Sequence, residues 1–318
     1  MAQAGAPDAT RVALLAPSPI LTVTVEHDAT GPEIHIHGGG QGFWVARMLR
    51  SLGAAVSFCA PLGGEVGTLL RPVLEAAGLE LCAVESGASN GAYVHERHSG
   101  GEPVTIAETA SPVLTRHETD ALYAATLSSA LDASLTVLTG PRSEEVIEPD
   151  FYRRLAGDLR RNGHTVVADL SGLPLTAALA GGLDILHLSA RELFEHAGEP
   201  PGDLSALIGA LRRLREQGAR TVLVSRGPEP TIVLLEDRLL ELSGPVFETR
   251  EERGAGDSMV AAIAASVARG RPLDEALRMG AAAGALNVVR RGLGSGSRAD
   301  IEHLAADVTL RPVARISS

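Results

Sequence analysis

From residue 11 to about residue 224 the chain alternates short aliphatic runs with segments of helix length. Arg11-Val-Ala-Leu-Leu-Ala16 stops at Pro17-Ser18-Pro19, and comparable runs fall at 55–60, 79–84, 135–139, 165–168, 185–188 and 220–224. Helices are expected between them, over 43–52, 65–77, 116–129, 149–161 and 203–217, with two more over 255–269 and 272–290. A strand covered on both faces needs apolar residues at nearly every position, and parallel strands need a crossover long enough to hold a helix. The pattern therefore predicts an α/β fold with a mostly parallel central sheet and helices on both faces. In such sheets ligands bind beyond the carboxyl ends of the strands.

Four stretches follow a different rule. Leu21-Thr-Val-Thr-Val-Glu26, Glu33-Ile-His-Ile-His37, Gly91-Ala-Tyr-Val-His-Glu-Arg97 and Pro103-Val-Thr-Ile-Ala-Glu108 alternate apolar with polar residues. Alternation marks strands with one covered and one wet face. They are expected to form a small accessory sheet, inserted at about 20–37 and 91–108 into a single domain spanning 11–312. Exposed strand edges of this kind find a partner or a cover, which suggests a homodimer. Histidines 27, 35, 37, 95, 98 and 117 include pairs on these strands. No Cys or carboxylate completes a set at ligand spacing, so they read as exposed residues rather than a zinc site.

The 318 residues are 45% hydrophobic but only 3% aromatic, so the core must be built from Ala, Val, Leu and Ile. A net charge of −11 with no basic segment makes nucleic acid and anionic membrane poor partners. There is no lysine, so a phosphate clamp must use Arg or backbone amides. Cys59 and Cys82 lie in apolar runs and are expected to be buried structural thiols. Residues 1–10 read as a disordered leader without a signal-peptide pattern, and a cytoplasmic protein is expected.

Gly254-Ala255-Gly256-Asp257 opens a helix of small apolar residues, Met259 to Ala268. The glycines permit a tight turn, and the amides of Gly254, Ala255 and Gly256 are left at a helix N-terminus, where negative charge is favoured. Asp257 is a base beside that site, suited to deprotonating a hydroxyl while phosphate charge is stabilised. These four residues alone also fit an ordinary helix start. A second cluster, Gly38-Gly39-Gly40-Gln41-Gly42, leads from the accessory sheet into a helix, either as a ligand-approach turn or as a hinge.

In this order and spacing, the two turns resemble those of the ribokinase-like (PfkB) sugar kinases, in the branch that contains 1-phosphofructokinase, tagatose-6-phosphate kinase and the minor 6-phosphofructokinase. The resemblance spans about Val12 to Pro312. It is also carried by Leu15-Ala-Pro-Ser18, Leu62-Gly63-Gly64-x-x-Gly67, Asp169-x-Ser171-Gly172, Glu192-Leu193, Val224-Ser225-x-Gly227 and Ala282-Ala-Gly-Ala-Leu-Asn287. It implies a β-lid that often forms a dimer contact, and transfer of the ATP γ-phosphate to a small-molecule hydroxyl. By that resemblance Asp257 is the base and the Gly254, Ala255 and Gly256 amides form the anion hole. Ser225, Gly227 and Arg253 lie along the nucleotide, Asn287 lies near its base, and Glu192 organises Mg²⁺. Gly39, Gly40, Gln41, Trp44 and Ile20 fall at acceptor-binding positions.

The departures from the family pattern concentrate on the acceptor side. An acidic residue that holds acceptor hydroxyls is replaced by Ile20, an amide by Trp44, and an arginine reaching an acceptor phosphate by Ser89. Each lost hydrogen bond to a charged group removes about 1.5–3 kcal/mol. Either the acceptor stacks on Trp44, or Trp44 fills a vacated pocket. On the donor side Lys-Pro-Asn becomes His187-Leu188-Ser189, and Glu252-Arg253 precedes the anion hole. The charged stretch Glu248 to Arg253 reads first as a solvated loop, and otherwise as a clamp in which Arg253 or Arg250 replaces the cationic help lost at His187. Two readings follow: a kinase with atypical acceptor specificity, or a weak or inactive relative that binds a nucleotide or metabolite. An open or a Trp44-filled cleft separates them.

Overall fold

A computed structural model describes residues 10–28, 31–98, 103–236, 238–245, 247, 253–289 and 294–313. The expected leader, apart from residue 10, lies outside them, as do Arg250 and Glu252. β1 (Arg11–Leu15) leads into β2 (Ile20–Asp28) and β3 (Gly31–Gly39), and α1 (Gln41–Ser51) returns the chain to the core. Next come β4 (Ala55–Gly63), α2 (Gly64–Ala76), β5 (Glu80–Ser86), the strands β6 (Gly91–His98) and β7 (Val104–Glu108), and α3 (Arg116–Leu131). The central sheet continues through β8 (Leu135–Thr139), α4 (Asp150–Arg161), β9 (Thr165–Asp169), α5 (Gly172–Gly181) and β10 (Leu183–Ser189). It is followed by α6 (Ala190–Ala197), α7 (Leu204–Gln217), β11 (Ala219–Arg226), β12 (Glu229–Leu235) and β13 (Arg238–Ser243). The last elements are α8 (Ala255–Ala268), α9 (Leu273–Val288), α10 (Arg298–Ala305) and β14 (Thr309–Pro312).

The central sheet has ten strands in the order β14-β13-β12-β11-β10-β9-β8-β1-β4-β5. The strands from β11 to β5 run parallel, as the aliphatic runs predict, and β12, β13 and β14 are added antiparallel. Alternate residues of β1 serve opposite cores. Val12 and Leu14 pack toward α1, α8 and α9, while Ala13 and Leu15 pack toward α3, α4 and α5. The sequence reading did not place α5, α6, α10 or β14. α6 and α10 have eight residues each and β14 has four, too few to establish a period.

α8 is buried from Ser258 through Ser266. Its small side chains, and those of α9, let the two helices approach closely. A Cβ placed on Gly280 would lie 2.6 Å from Cγ1 of Ile263, and one on Gly284 would lie 3.2 Å from the Ala255 carbonyl. Cys59 is buried as expected, but its neighbour Cys82 is half-buried, because β5 is the edge strand of the sheet. No helix among the described residues is long and apolar enough to cross a membrane.

The accessory sheet has the order β3-β2-β6-β7, with β2 and β6 parallel and the outer pairs antiparallel. Its register sorts the side chains. Thr22, His37 and Tyr93 share one face with Thr24, His35 and His95, while Val23, Ile36 and Val94 share the other with Val25, Ile34 and Glu96. The polar face is the one turned inward. Thr22 and His95 are buried there, and Thr24 Oγ1 lies 3.3 Å from His37 Nε2 and 3.2 Å from His95 Nε2. His95 thus departs from the exposed position expected of it, because a hydrogen-bonded imidazole can be covered at little cost. The apolar face is left open, with Ile34 at 67% and Ile36 at 61% exposure.

Gly280→Ala is expected to destabilise the protein by about 1–3 kcal/mol, the usual cost of forcing a methyl group into a filled contact. A urea unfolding midpoint equal to that of the parent would contradict this account of the α8–α9 contact.

Candidate active site

The carboxyl ends of β9, β10 and β11 deliver Asp169, His187 and Ser225 to one place, and the N-terminus of α8 is laid over them. Gly254 sits at φ 76°, a left-handed conformation that glycine adopts without strain, and it caps the helix. Gly256 passes directly over the imidazole: a Cβ there would be 2.7 Å from Cε1 of His187. Only glycine allows that approach. The amides of Ala255, Gly256 and Asp257 occupy the first turn, where a helix has no carbonyl of its own to receive them.

His187 Nδ1 lies 3.3 Å from Asp169 Oδ1, and its Nε2 lies 3.2 Å from Ser225 Oγ. Burial works against charge on this ring, but Asp169 outweighs burial and the imidazole titrates above its ordinary value. β9 and β10 pair in register, which brings Asp169 alongside the ring. Asp257 is affected in the opposite sense. Burial, then the anion of Asp169, pushes its carboxyl up to about 8, while His187 and a hydrogen bond from Gln41 oppose the shift. Such a carboxyl is a far better proton acceptor than an ordinary aspartate.

These groups line a cavity of about 640 Å³, together with Glu192, Gly227, Arg253, Gly254, Ala255 and Gly256. Glu192 also closes α6 locally. Its Oε2 accepts from Ser189 N at 2.8 Å and Oγ at 2.7 Å, while Ser189 Oγ accepts from Glu192 N at 3.2 Å. Ser189-x-x-Glu192 is therefore a capping box, which holds the carboxylate in one orientation at the cavity wall. A smaller cavity of about 190 Å³ adjoins, lined by Ser18, Gly40, Gln41, Gly42, Thr139 and Arg142 among others. Gln41 lines both. Its Oε1 accepts from Gly140 N at 2.8 Å and its Nε2 donates to the Asp169 carbonyl at 3.3 Å.

Four residues assigned to ligand contact, Asn287, Trp44, Ile20 and Gly39, line neither cavity. Asn287 is buried behind the turn, with Nδ2 donating to the Arg253 carbonyl at 2.8 Å and Oδ1 accepting from Ser258 Oγ at 3.2 Å and Gly294 N at 3.1 Å. Gly284, Ala285 and Val288 present the cavity-facing side of α9 instead. Trp44 packs against Phe43 at 4.9 Å and His37 at 5.4 Å between ring centroids and lines neither cavity. Ile20 is buried against Gly39 and Gly91, filling space at the root of the lid, and Gly39 is buried with it. Sequence reasoning missed the roles of Asp169 and His187. The available signal was a charged residue ending one aliphatic run and a histidine inside another.

Residues 11–300 match the family model described as pfkB family carbohydrate kinase. Among curated relatives, ATP-dependent 6-phosphofructokinase isozyme 2 of Mycobacterium tuberculosis is 29% identical over 94% of this chain and 91% of its own length. The Escherichia coli K12 enzyme of the same name is 26% identical over 84% of this chain and 87% of its own. Among solved structures, phosphofructokinase-2 of Escherichia coli superposes with a TM-score of 0.81 at 23% identity, covering 93% of this chain and 98% of that one. A possible 1-phosphofructokinase of Thermotoga maritima gives 0.82 at 16% identity, covering 96% and 100%.

Removing the positive charge beneath Asp257 raises its affinity for a proton. His187→Gln is expected to move the Asp257 carboxyl titration, followed by ¹³C NMR and assigned by comparison with Asp257→Asn, to higher pH than in the parent. A parent carboxyl titrating near the ordinary value of about 4 would contradict the electrostatic account.

Proposed function

Because the chain belongs to the pfkB family of carbohydrate kinases, we propose that it moves the γ-phosphate of ATP to a hydroxyl of a sugar, sugar phosphate or related small acceptor, with atypical acceptor specificity. The observation that carries this reading is Asp257, a carboxyl of raised proton affinity in the first turn of α8, open to a cavity large enough for a nucleotide. Asp257 takes the proton of the acceptor hydroxyl. The Gly254, Ala255 and Gly256 amides, with the helix dipole behind them, stabilise charge on the transferring group. Ser225, Gly227 and Arg253 flank the phosphates, and the His187 cation, held by Asp169, adds positive charge where no lysine is available.

The donor set around the cavity suits Mg²⁺. It is made of carboxylate oxygens, Glu192 foremost, and both ring nitrogens of His187 already have partners. Mg²⁺ prefers oxygen and keeps several waters, so Glu192 would hold it through water. When bound, the ion neutralises charge on the ATP phosphates.

On the acceptor side, Gly40 and Gln41 wall the smaller cavity that adjoins Asp257 through Gln41. Trp44 is half-buried against Phe43 and His37 and lines neither cavity. The acceptor is thus held by Gln41, backbone groups and Arg142, without the family's carboxylate. Arg142 is tied to the lid through an ion pair with Glu108, which connects lid position to this subsite. Since Trp44 does not fill the cleft, turnover is favoured over the reading as a weak or inactive binder. The open apolar face of the lid, with Ile34, Ile36, Val104 and Ile106 more than half exposed, suits a homodimer formed through the lid.

Asp257→Asn should lower phosphoryl transfer by about 10²–10⁴-fold, with thermal stability kept. A coupled ATP-consumption assay over sugars, sugar phosphates, nucleosides and aminocyclitols measures it, and an equally active variant would remove Asp257 from the mechanism. Replacing Ile34 and Ile106 together by Glu should convert a dimer to a monomer by size-exclusion chromatography with light scattering. A parent protein already monomeric at high concentration would overturn the lid contact.

A further inference from the structure

At the end of the lid far from the cleft, three side chains with metal-binding donors converge. His27 lies at the end of β2 and His98 closes β6, and the parallel register sets them directly side by side. The same register puts Glu96 beside Val25, two residues earlier and on the same face. The two imidazoles stack, with centroids 4.4 Å apart and planes 13° from parallel. The Glu96 carboxylate reaches both rings: Oε2 is 3.6 Å from Nε2 of His27 and Oε1 is 3.8 Å from Nε2 of His98. One donor atom from each residue lies within 4.8 Å of the other two. The carboxylate that the sequence did not supply at ligand spacing is thus brought in by strand pairing.

We propose that His27, Glu96 and His98 form a binding site for a divalent transition-metal ion of the zinc type. Two imidazole nitrogens and one carboxylate oxygen match the donors chosen by Zn²⁺, Co²⁺ and Ni²⁺, whereas Mg²⁺ and Ca²⁺ take oxygen alone. Tetrahedral bonds of about 2.0–2.2 Å set ligand atoms about 3.4 Å apart, so the three donors, now within 4.8 Å of one another, must draw together by up to about 1.4 Å. His27 and Glu96 are each 34% exposed at the side chain and His98 is 61% exposed, so the rotamers can close that gap. Their backbones are already fixed by the β2–β6 ladder, and the ion has only side chains to order. Water completes the fourth position. The site joins two strands that no direct turn connects, so an ion there acts as a cross-link between residues distant in sequence. His35, paired with Glu33 at 3.4 Å, lies on the opposite face and belongs to a separate contact.

The test uses the full chain with Mg²⁺ in excess, titrated with Co²⁺ and followed by visible absorption, and with Zn²⁺ by calorimetry. One ion per chain is expected, with the intense spectrum of tetrahedral Co²⁺, and the melting temperature should climb with metal concentration. The His27→Ala, His98→Ala double variant and the shape-conserving Glu96→Gln should each weaken binding by about tenfold or more, while His117→Ala leaves it unchanged. A parent chain with no saturable site, or a double variant that binds as the parent does, would overturn the proposal. Either result leaves the kinase reading intact, because none of these residues touches the cleft.

Discussion

The close passage of the α8 N-terminus over His187 is the contact on which the site depends. The helix can come that near the strand ends only because its first turn carries glycine at 256, where any Cβ would strike the ring. Its body can follow only because it is made of small residues and meets an equally small face on α9. Burial of the helix from Ser258 through Ser266 then holds its first turn, and Asp257 with it, against a packed core. Asn287 completes the arrangement from behind, tying Arg253, Ser258 and Gly294 into one hydrogen-bonded unit. A position that reads as a ligand contact in sequence is therefore a brace for the turn that carries Asp257.

Charge within the cleft is balanced by few groups. Asp169 and Asp257 line the same cavity, and His187 opposes the upward shift that burial and Asp169 impose on Asp257. It contacts Asp169 directly, while Asp257 is left with a raised proton affinity. A lysine in this place would bring a longer, hydrated charge. An imidazole with both nitrogens engaged gives a fixed orientation and a flat surface on which glycine can lie. The absence of lysine throughout the chain makes this a consistent solution rather than an isolated substitution.

The lid shows how the same alternating pattern can serve different ends on its two faces. The inward face is polar and hydrogen-bonded through Thr24, His37 and His95. The outward face is apolar along most of its length and ends in His27, Glu96 and His98. Alternation in β2, β3 and β6 was legible from sequence, and it sets which residues share a face. It does not say which face turns inward, and His95 was misplaced for that reason.

The sequence by itself determined the parallel sheet, the lid strands and the two glycine turns, because each rests on local rules: period, run length and φ freedom. It also identified Asp257, since a base at a helix N-terminus is a local motif. Tertiary structure decided the rest. His187 has its proton affinity raised by Asp169, a residue on another strand, and Asn287 turns inward because the rotation of α9 gives the cavity to Gly284 and Val288. Trp44 and Ile20 line neither cavity, Trp44 lying against Phe43 and His37 and Ile20 against Gly39 and Gly91. In each case the outcome depends on which side chains meet across the fold, a quantity set by register and packing between elements rather than by the order of residues within one.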